Sequence, residues 1–262
     1  MSAIPGTGSD GSGRLDGQRV LVVGASSGIG RALVGAAARA GALVAGVARR
    51  AAVLDEVVAE CGPVRTPAIG LPCDVRDPAA VTAMAAELGD RLGGLDAVVY
   101  ATGVTHLARL ADTSVATWRL LFETNVVGAA LVVAAVGPLR HRDAGARSGP
   151  AGPGRVAVLS SHSVPDPWPA LGAYAVSKAA LDELVLAWRA ELPGGIFARV
   201  VVGPTLTPMA DGWDPLVAGA MFEEWAVSGR LGQHEPVAPE VVADALVGWL
   251  ADPEPPLDLS LV

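Results

Sequence analysis

Tyr174 and Lys178 lie four residues apart in Ala173-Tyr174-Ala175-Val176-Ser177-Lys178, and Ser161 precedes the tyrosine by thirteen residues. At that spacing a tyrosine and a lysine share one face of a helix, where an ammonium can approach a phenol and favour its ionised form. An unperturbed phenol titrates near pH ~10, so the pair reads as a device for exchanging a proton closer to neutrality. Far upstream, Gly24-Ala25-Ser26-Ser27-Gly28-Ile29-Gly30 follows a short apolar run. Three glycines between a strand and a helix let a pyrophosphate approach backbone N–H groups at the helix N-terminus. A proton donor and a dinucleotide cradle in one chain point to hydride transfer.

The elements needed to position these groups can be read from the apolar pattern. Strands are expected at 19–23, 43–47, 68–73, 97–101, 155–160 and 197–202, with a short last one near 257–262. Helices are expected at 29–40, 53–60, 78–92, 172–192 and 239–250, and a long one at 118–142 that breaks near Gly137-Pro138. This alternation implies an α/β fold, a single-domain, Rossmann-like, doubly wound parallel sheet of about seven strands with helices on both faces. Ser161 then falls at the carboxyl end of a strand, the edge where open parallel sheets bind ligands. Its neighbour Ser160 must point to the opposite face.

Composition narrows the partners. The chain has 262 residues, 51% hydrophobic and 18% charged, a globular profile with room for a full core. A net charge of −8 argues against nucleic acid or an anionic membrane surface and for a small-molecule partner. Cys61 and Cys73 form no CxxC pair, which suits a reducing cytoplasm, and the four histidines lack metal-ligand spacing, so no catalytic metal is expected. Residues 1–14 read as a disordered Gly/Ser-rich tail ahead of a domain at 15–262. The loop 143–154 reads as solvent-exposed, and the apolar run 126–139 is too short to span a bilayer and reads as a core helix.

Gly24, Gly28 and Gly30, then Asn125, Ser161, Tyr174 and Lys178, follow one another in the order and spacing of the classical short-chain dehydrogenase/reductase family, which the chain resembles from about residue 15 to 250. The resemblance implies interconversion of a ketone or aldehyde and an alcohol at a CH–OH group. Tyr174 would be the acid/base and Lys178 would lower its pKa and hold the nicotinamide ribose. Ser161 would position the substrate oxygen, and Asn125 would support a proton relay through a distorted helix. Cofactor contacts carried over are Gly24, Ser26, Ser27, Gly28, Ile29, Gly30, Asp74, Val75, Ala101, Gly103, Asn125, Tyr174, Lys178, Gly203, Thr205 and Thr207. A homodimer or homotetramer is also implied.

The second strand ends in Val47-Ala48-Arg49-Arg50, with no carboxylate where an NAD enzyme would grip the ribose. Arg49 could instead hold a 2′-phosphate, so NADP(H) is favoured. If both arginines are solvated loop charges, NAD(H) stays open. Three departures from the family pattern stand out: Val23 in place of Thr, Tyr100-Ala101-Thr102-Gly103 in place of Asn-Asn-Ala-Gly, and Val202-Gly203-Pro204 in place of a Pro-Gly start. The stretch 205–231 is expected as a variable lid whose Met209, Trp213, Met221, Phe222 and Trp225, with Trp168 nearby, either line an apolar substrate pocket or serve as core. His106 and His162 read as structural. The rival reading of the whole chain is a catalytically silent NADP-binding sensor of the same fold; a nucleotide-sugar dehydratase or epimerase would need a further domain.

Overall fold

The computed structural model describes residues 14–62, 68–141, 154–232 and 235–261. The first half alternates strand and helix: β1 (Arg19–Val23), α1 (Gly28–Arg39), β2 (Leu43–Ala48), α2 (Ala51–Glu60), β3 (Ile69–Pro72), α3 (Pro78–Leu92) and β4 (Ala97–Tyr100). Next, α4 (Val115–Phe122) passes through a π-helical turn (Glu123–Val127) into α5 (Gly128–Val136). The order closes with β5 (Arg155–Ser161), α6 (Gly172–Glu191), β6 (Ile196–Val202), α7 (Pro215–Val227), α8 (Pro239–Ala251) and β7 (Asp258–Leu261).

The seven strands form one sheet in the order β3-β2-β1-β4-β5-β6-β7, and every pair is parallel. Because helices cover both faces, the central strands carry no polar alternation, and every residue of β1 and β4 is buried. On one face Leu33, Val34, Leu54, Val57, Leu246 and Leu250 from α1, α2 and α8 pack the core. On the other, Val81, Leu88, Val132, Val136, Leu181 and Val185 come from α3, α5 and α6. The chain order reverses between β1 and β4, and the carboxyl ends of these two strands bound the crevice in which such sheets bind ligands.

Local chemistry sets the ends of these elements. Asp77 caps α3 by accepting from the N–H groups of Ala79 and Ala80, Pro78 starts its first turn, and Gly93 ends it at φ 71°. The expected long helix at 118–142 is corrected at its start, Val115, and the distortion expected at Asn125 is a π-helical turn ahead of the break at Gly137. By length and composition Val115–Leu139 could cross a membrane. In this fold its Ala129, Val132, Val133 and Val136 side is buried in the sheet core.

Helix α7 was not legible as a helix because its apolar residues form no single stripe: Leu216 and Val227 are 86% and 92% exposed while Trp225 is 2% exposed. The expected tail (1–14), Arg14 apart, and the loop 143–154, Gly154 apart, lie outside the described residues. Cys61 and Cys73 are both free and buried.

Candidate active site

The three glycines of the first turn are required for three separate reasons. Gly24 has φ 98°, and a Cβ there would stand 2.8 Å from the Thr102 nitrogen and 2.9 Å from the Ala101 carbonyl carbon. A Cβ on Gly30 would fall inside the Gly24 carbonyl. Gly28, at φ 52°, lies under the Thr207 methyl, 2.9 Å from where its Cβ would be. The turn is pinned to β2 by bonds from Gly24 N and Ala25 N to the Val47 carbonyl (2.8 and 3.0 Å). Ser27 precedes α1 but its side chain caps nothing, and no acidic residue stands in the first turn. The backbone donors there are therefore oriented for an anion.

Around this cradle the structure gathers the other expected cofactor residues. Ala101 N bonds Val23 O at 2.8 Å, continuing β4 beside the glycine turn. Gly203 N bonds Leu261 O at 3.0 Å, and Thr205 Oγ1 bonds Gly203 O at 3.1 Å. Val75 is buried against Gly128, and Ile29 packs partly buried on the α1 side of the core. Arg49 and Arg50 are exposed at the end of β2, with Arg50 Nη2 3.5 Å from Ser26 Oγ. Asp74 is held by Arg76, whose Nη2 lies 2.6 Å from Oδ2, and this bond keeps its carboxyl at about 2. A glycine cradle that no side chain could occupy, with a guanidinium cluster at the end of β2, fits a dinucleotide carrying an extra phosphate.

The groups expected to handle protons come from three elements, the π-helical turn, β5 and α6. The π-helical turn places Asn125 fully buried between β4 and α6. Its Oδ1 accepts from Val104 N (2.8 Å), and its Nδ2 donates to Val104 O (3.0 Å) and Ser177 Oγ (2.9 Å). Ser177 in turn donates to the Tyr174 carbonyl at 2.7 Å, so Asn125 is tied to the helix that carries the tyrosine. Lys178 Nζ donates to the Leu159 carbonyl at 2.8 Å and stands 5.9 Å from the centre of the Tyr174 ring. A Cβ on Gly103 would touch that Nζ at 3.2 Å, which explains glycine there. Ser161 Oγ accepts from Ser163 N at 3.2 Å and lies 2.9 Å from Ser163 Oγ.

The electrostatics differ from expectation in one respect. Burial pushes the Tyr174 phenol up to about 12, and the nearby Ser161 hydroxyl offsets part of that rise. The ammonium is engaged with the Leu159 carbonyl, and burial lowers its own value to about 8 while Asp182 raises it. Sequence reasoning found Asn125, Ser161, Tyr174 and Lys178, and the structure brings all four together. It missed Ser163, Ser177 and Arg76, which match no spacing rule and declare themselves only through their bonds.

The lid is a small core of its own. Trp225 packs edge-on against Trp168, with ring centres 5.1 Å apart, and against Trp213 at 6.2 Å, with Leu107, Ala170 and Met221 around them. Trp225 Nε1 donates to Pro169 O at 3.0 Å, and Arg109 forms an ion pair with Glu224. Trp213, Met221, Trp225 and Trp168 thus serve largely as core, the second of the two readings, while Met209 and Phe222 are 42% and 44% exposed. His106 is exposed, and His162 extends β5 through a bond from its N–H to Val202 O (3.0 Å).

This arrangement is that of a dinucleotide-dependent oxidoreductase, and the comparisons agree. A family model described as short chain dehydrogenase matches residues 18–215. A short-chain type dehydrogenase/reductase of Picea abies is 33% identical over 255 residues, covering 92% of this chain and 88% of the relative. The NADPH-dependent aldehyde reductase-like protein, chloroplastic, of Arabidopsis thaliana is 33% identical over 254 residues, covering 90% and 88%. The crystal structure of a short chain dehydrogenase from Burkholderia cenocepacia J2315 in complex with NADP superposes with TM-score 0.78 at 27% identity, covering 95% of this chain and 97% of that one. The chain belongs to the short-chain dehydrogenase family.

Proposed function

We propose that the protein is an NADP-dependent oxidoreductase that interconverts a ketone or aldehyde with the corresponding alcohol. The observation that carries this reading is the meeting of Tyr174, Ser161, Lys178 and Asn125 at the carboxyl ends of β4 and β5, beside the glycine cradle of β1. NADPH, when bound, supplies the hydride. Gly24, Gly28 and Gly30 would admit its pyrophosphate at the N-terminus of α1, and Arg49 and Arg50 would hold the 2′-phosphate.

In the reductive direction Tyr174 gives its phenolic proton to the carbonyl oxygen as that oxygen gains charge, and Ser161 donates a second bond to the same oxygen. A phenol held at about 12 stays protonated at neutral pH and keeps the proton until the developing alkoxide takes it. Lys178 then supplies positive charge to the phenolate side. Asn125 holds Val104 and, through Ser177, the first turn of α6, fixing the distance between tyrosine and sheet. Exposed Leu120, Val127, Val176 and Leu186 on α4 to α6 suit packing between copies and support a homodimer or homotetramer.

The test is NADPH absorbance decay, with NADH in parallel, against aliphatic, aromatic and quinone carbonyls, with Tyr174→Phe as control. Turnover that falls about 10²-fold or more in the variant supports the reading. Tight NADPH binding without turnover on any carbonyl would favour a silent sensor.

A further inference from the structure

Lys178 is the only lysine in the chain; its other basic side chains of the Lys/Arg type are all arginine. It is 3% exposed, and its Nζ bonds a single backbone carbonyl, that of Leu159. One turn further along α6, facing the same side, lies Asp182, a carboxylate 7% exposed and absorbed by no expected role. Its Oδ1 has no hydrogen-bond partner, while its Oδ2 stands 3.6 Å from Arg199 Nη1 on β6. Leaving a buried carboxylate half-satisfied is costly, and the arrangement persists only where its charge is used.

The neighbours indicate the use. Arg199 is itself held from the far side by Asp258 on β7, Nε to Oδ1 at 3.0 Å, and Asp258 is shared with Arg189 at 3.3 Å. The two guanidinia thus share Asp258, and Asp182 is the second carboxylate of the group, set between Arg199 and the Lys178 face of α6. From β5, Ser160 approaches Asp182 closely enough to favour its charged form but outside hydrogen-bond geometry. Around Lys178 the remaining groups are Tyr174 on α6, Asn125 on the π-helical turn and the Leu159 carbonyl on β5, none of them an anion at neutral pH.

We propose that Asp182 is a positioning residue whose buried carboxylate keeps the Lys178 ammonium charged inside the site, so that Ser160, Asp182 and Arg199 form a supporting layer beneath the catalytic groups. This deepens the oxidoreductase reading and rests on it. Asp182 touches no reacting atom and acts only through the lysine. Burial alone would let Lys178 lose its proton near neutrality, and a neutral amine could not offset a phenolate.

A single lysine makes the test direct. Full-length protein made with ¹³C,¹⁵N-lysine in an otherwise unlabelled background gives one side-chain NMR signal, and its titration reads Lys178 alone. The wild-type midpoint is expected near 8. Asp182→Asn should lower it by about one pH unit or more, and Asp182→Glu should restore most of it. In parallel, the alkaline limb of kcat for carbonyl reduction should move to lower pH by a like amount. An unmoved midpoint in a folded Asp182→Asn protein would overturn the proposal. Should that variant fail to fold, the wild-type signal still decides: it must show a second, smaller inflection at acid pH as Asp182 takes its proton, and a single-step curve removes the coupling. The resonance needs no turnover, so a shifted midpoint in a protein inert toward every carbonyl would uphold the coupling and remove the oxidoreductase reading instead.

Discussion

The hydroxyl of Tyr100 donates a 2.6 Å hydrogen bond to the carbonyl of Thr124, joining the end of β4 to the π-helical turn that carries Asn125. Burial drives this phenol far above its ordinary range, so it is a permanent donor. The bond captures a carbonyl that the wider turn presents. Tyr100→Phe leaves that buried carbonyl unpaired and should cost about 1–3 kcal/mol in urea unfolding, with weaker turnover as Asn125 loosens. An unchanged midpoint would mean that the carbonyl finds another donor.

Lys178 also makes the fold pH-dependent. Its value falls from 10.5 to about 8 in the folded state because of burial, so between those limits the unfolded chain binds more protons and stability rises with pH. The gain is complete above the unfolded value and is lost as pH falls through about 8. The rise in stability between about pH 8 and 10 should therefore be larger in wild type than in Lys178→Met, which has no ammonium to lose there and also loses turnover. Scanning calorimetry across pH checks this; equal slopes in the two proteins would show that Lys178 carries no desolvated charge.

Arg49 bears on the choice between phosphorylated and unphosphorylated cofactor. Both it and Arg76 are exposed, but Asp74 already occupies Arg76. Arg49→Ala should raise KM for NADPH about tenfold or more and leave that for NADH nearly unchanged, the loss of one charge-assisted bond. Equal effects on both cofactors would return Arg49 to the solvent.

The Trp225 cluster is separate from the two cores that flank the sheet. Trp225→Ala should free the lid without unfolding the sheet, seen as faster proteolysis within residues 205–232, a higher KM for substrate and a small change in the global urea midpoint. A loss of several kcal/mol in that midpoint would show the lid to be part of the main cooperative unit.

The apolar runs located all seven strands within a residue or two; the central ones are plainest because a strand buried on both faces has nowhere to place a polar residue, whereas β7 alternates exposed and half-buried positions. The glycines of the site were equally legible, since Gly24, Gly28, Gly30 and Gly103 are imposed by close approaches such as Gly24 on Thr102 or Gly103 on Lys178. Two things were hidden. The π-helical form of the distortion that the resemblance implied at Asn125 has no period of its own, being one residue of slack in an otherwise helical run. The support of Tyr174 and Lys178 by Ser163, Ser177 and Asp182 depends on contacts across elements, and the lowering of the Tyr174 phenol expected from a nearby ammonium gave way to its burial.

The lid leaves and rejoins the body at one point. Val237 N bonds Pro204 O at 3.0 Å and Leu206 N bonds Val237 O at 2.9 Å, so some thirty residues of chain depart and return across a single rung. Beyond that rung and Thr207, whose methyl lies over Gly28, the chain is an exchangeable part. Insertions, deletions or a transplanted loop can alter what the pocket admits while the rung keeps the ends in register, and the machinery on β5 and α6 need not be rebuilt for the protein to acquire a different substrate.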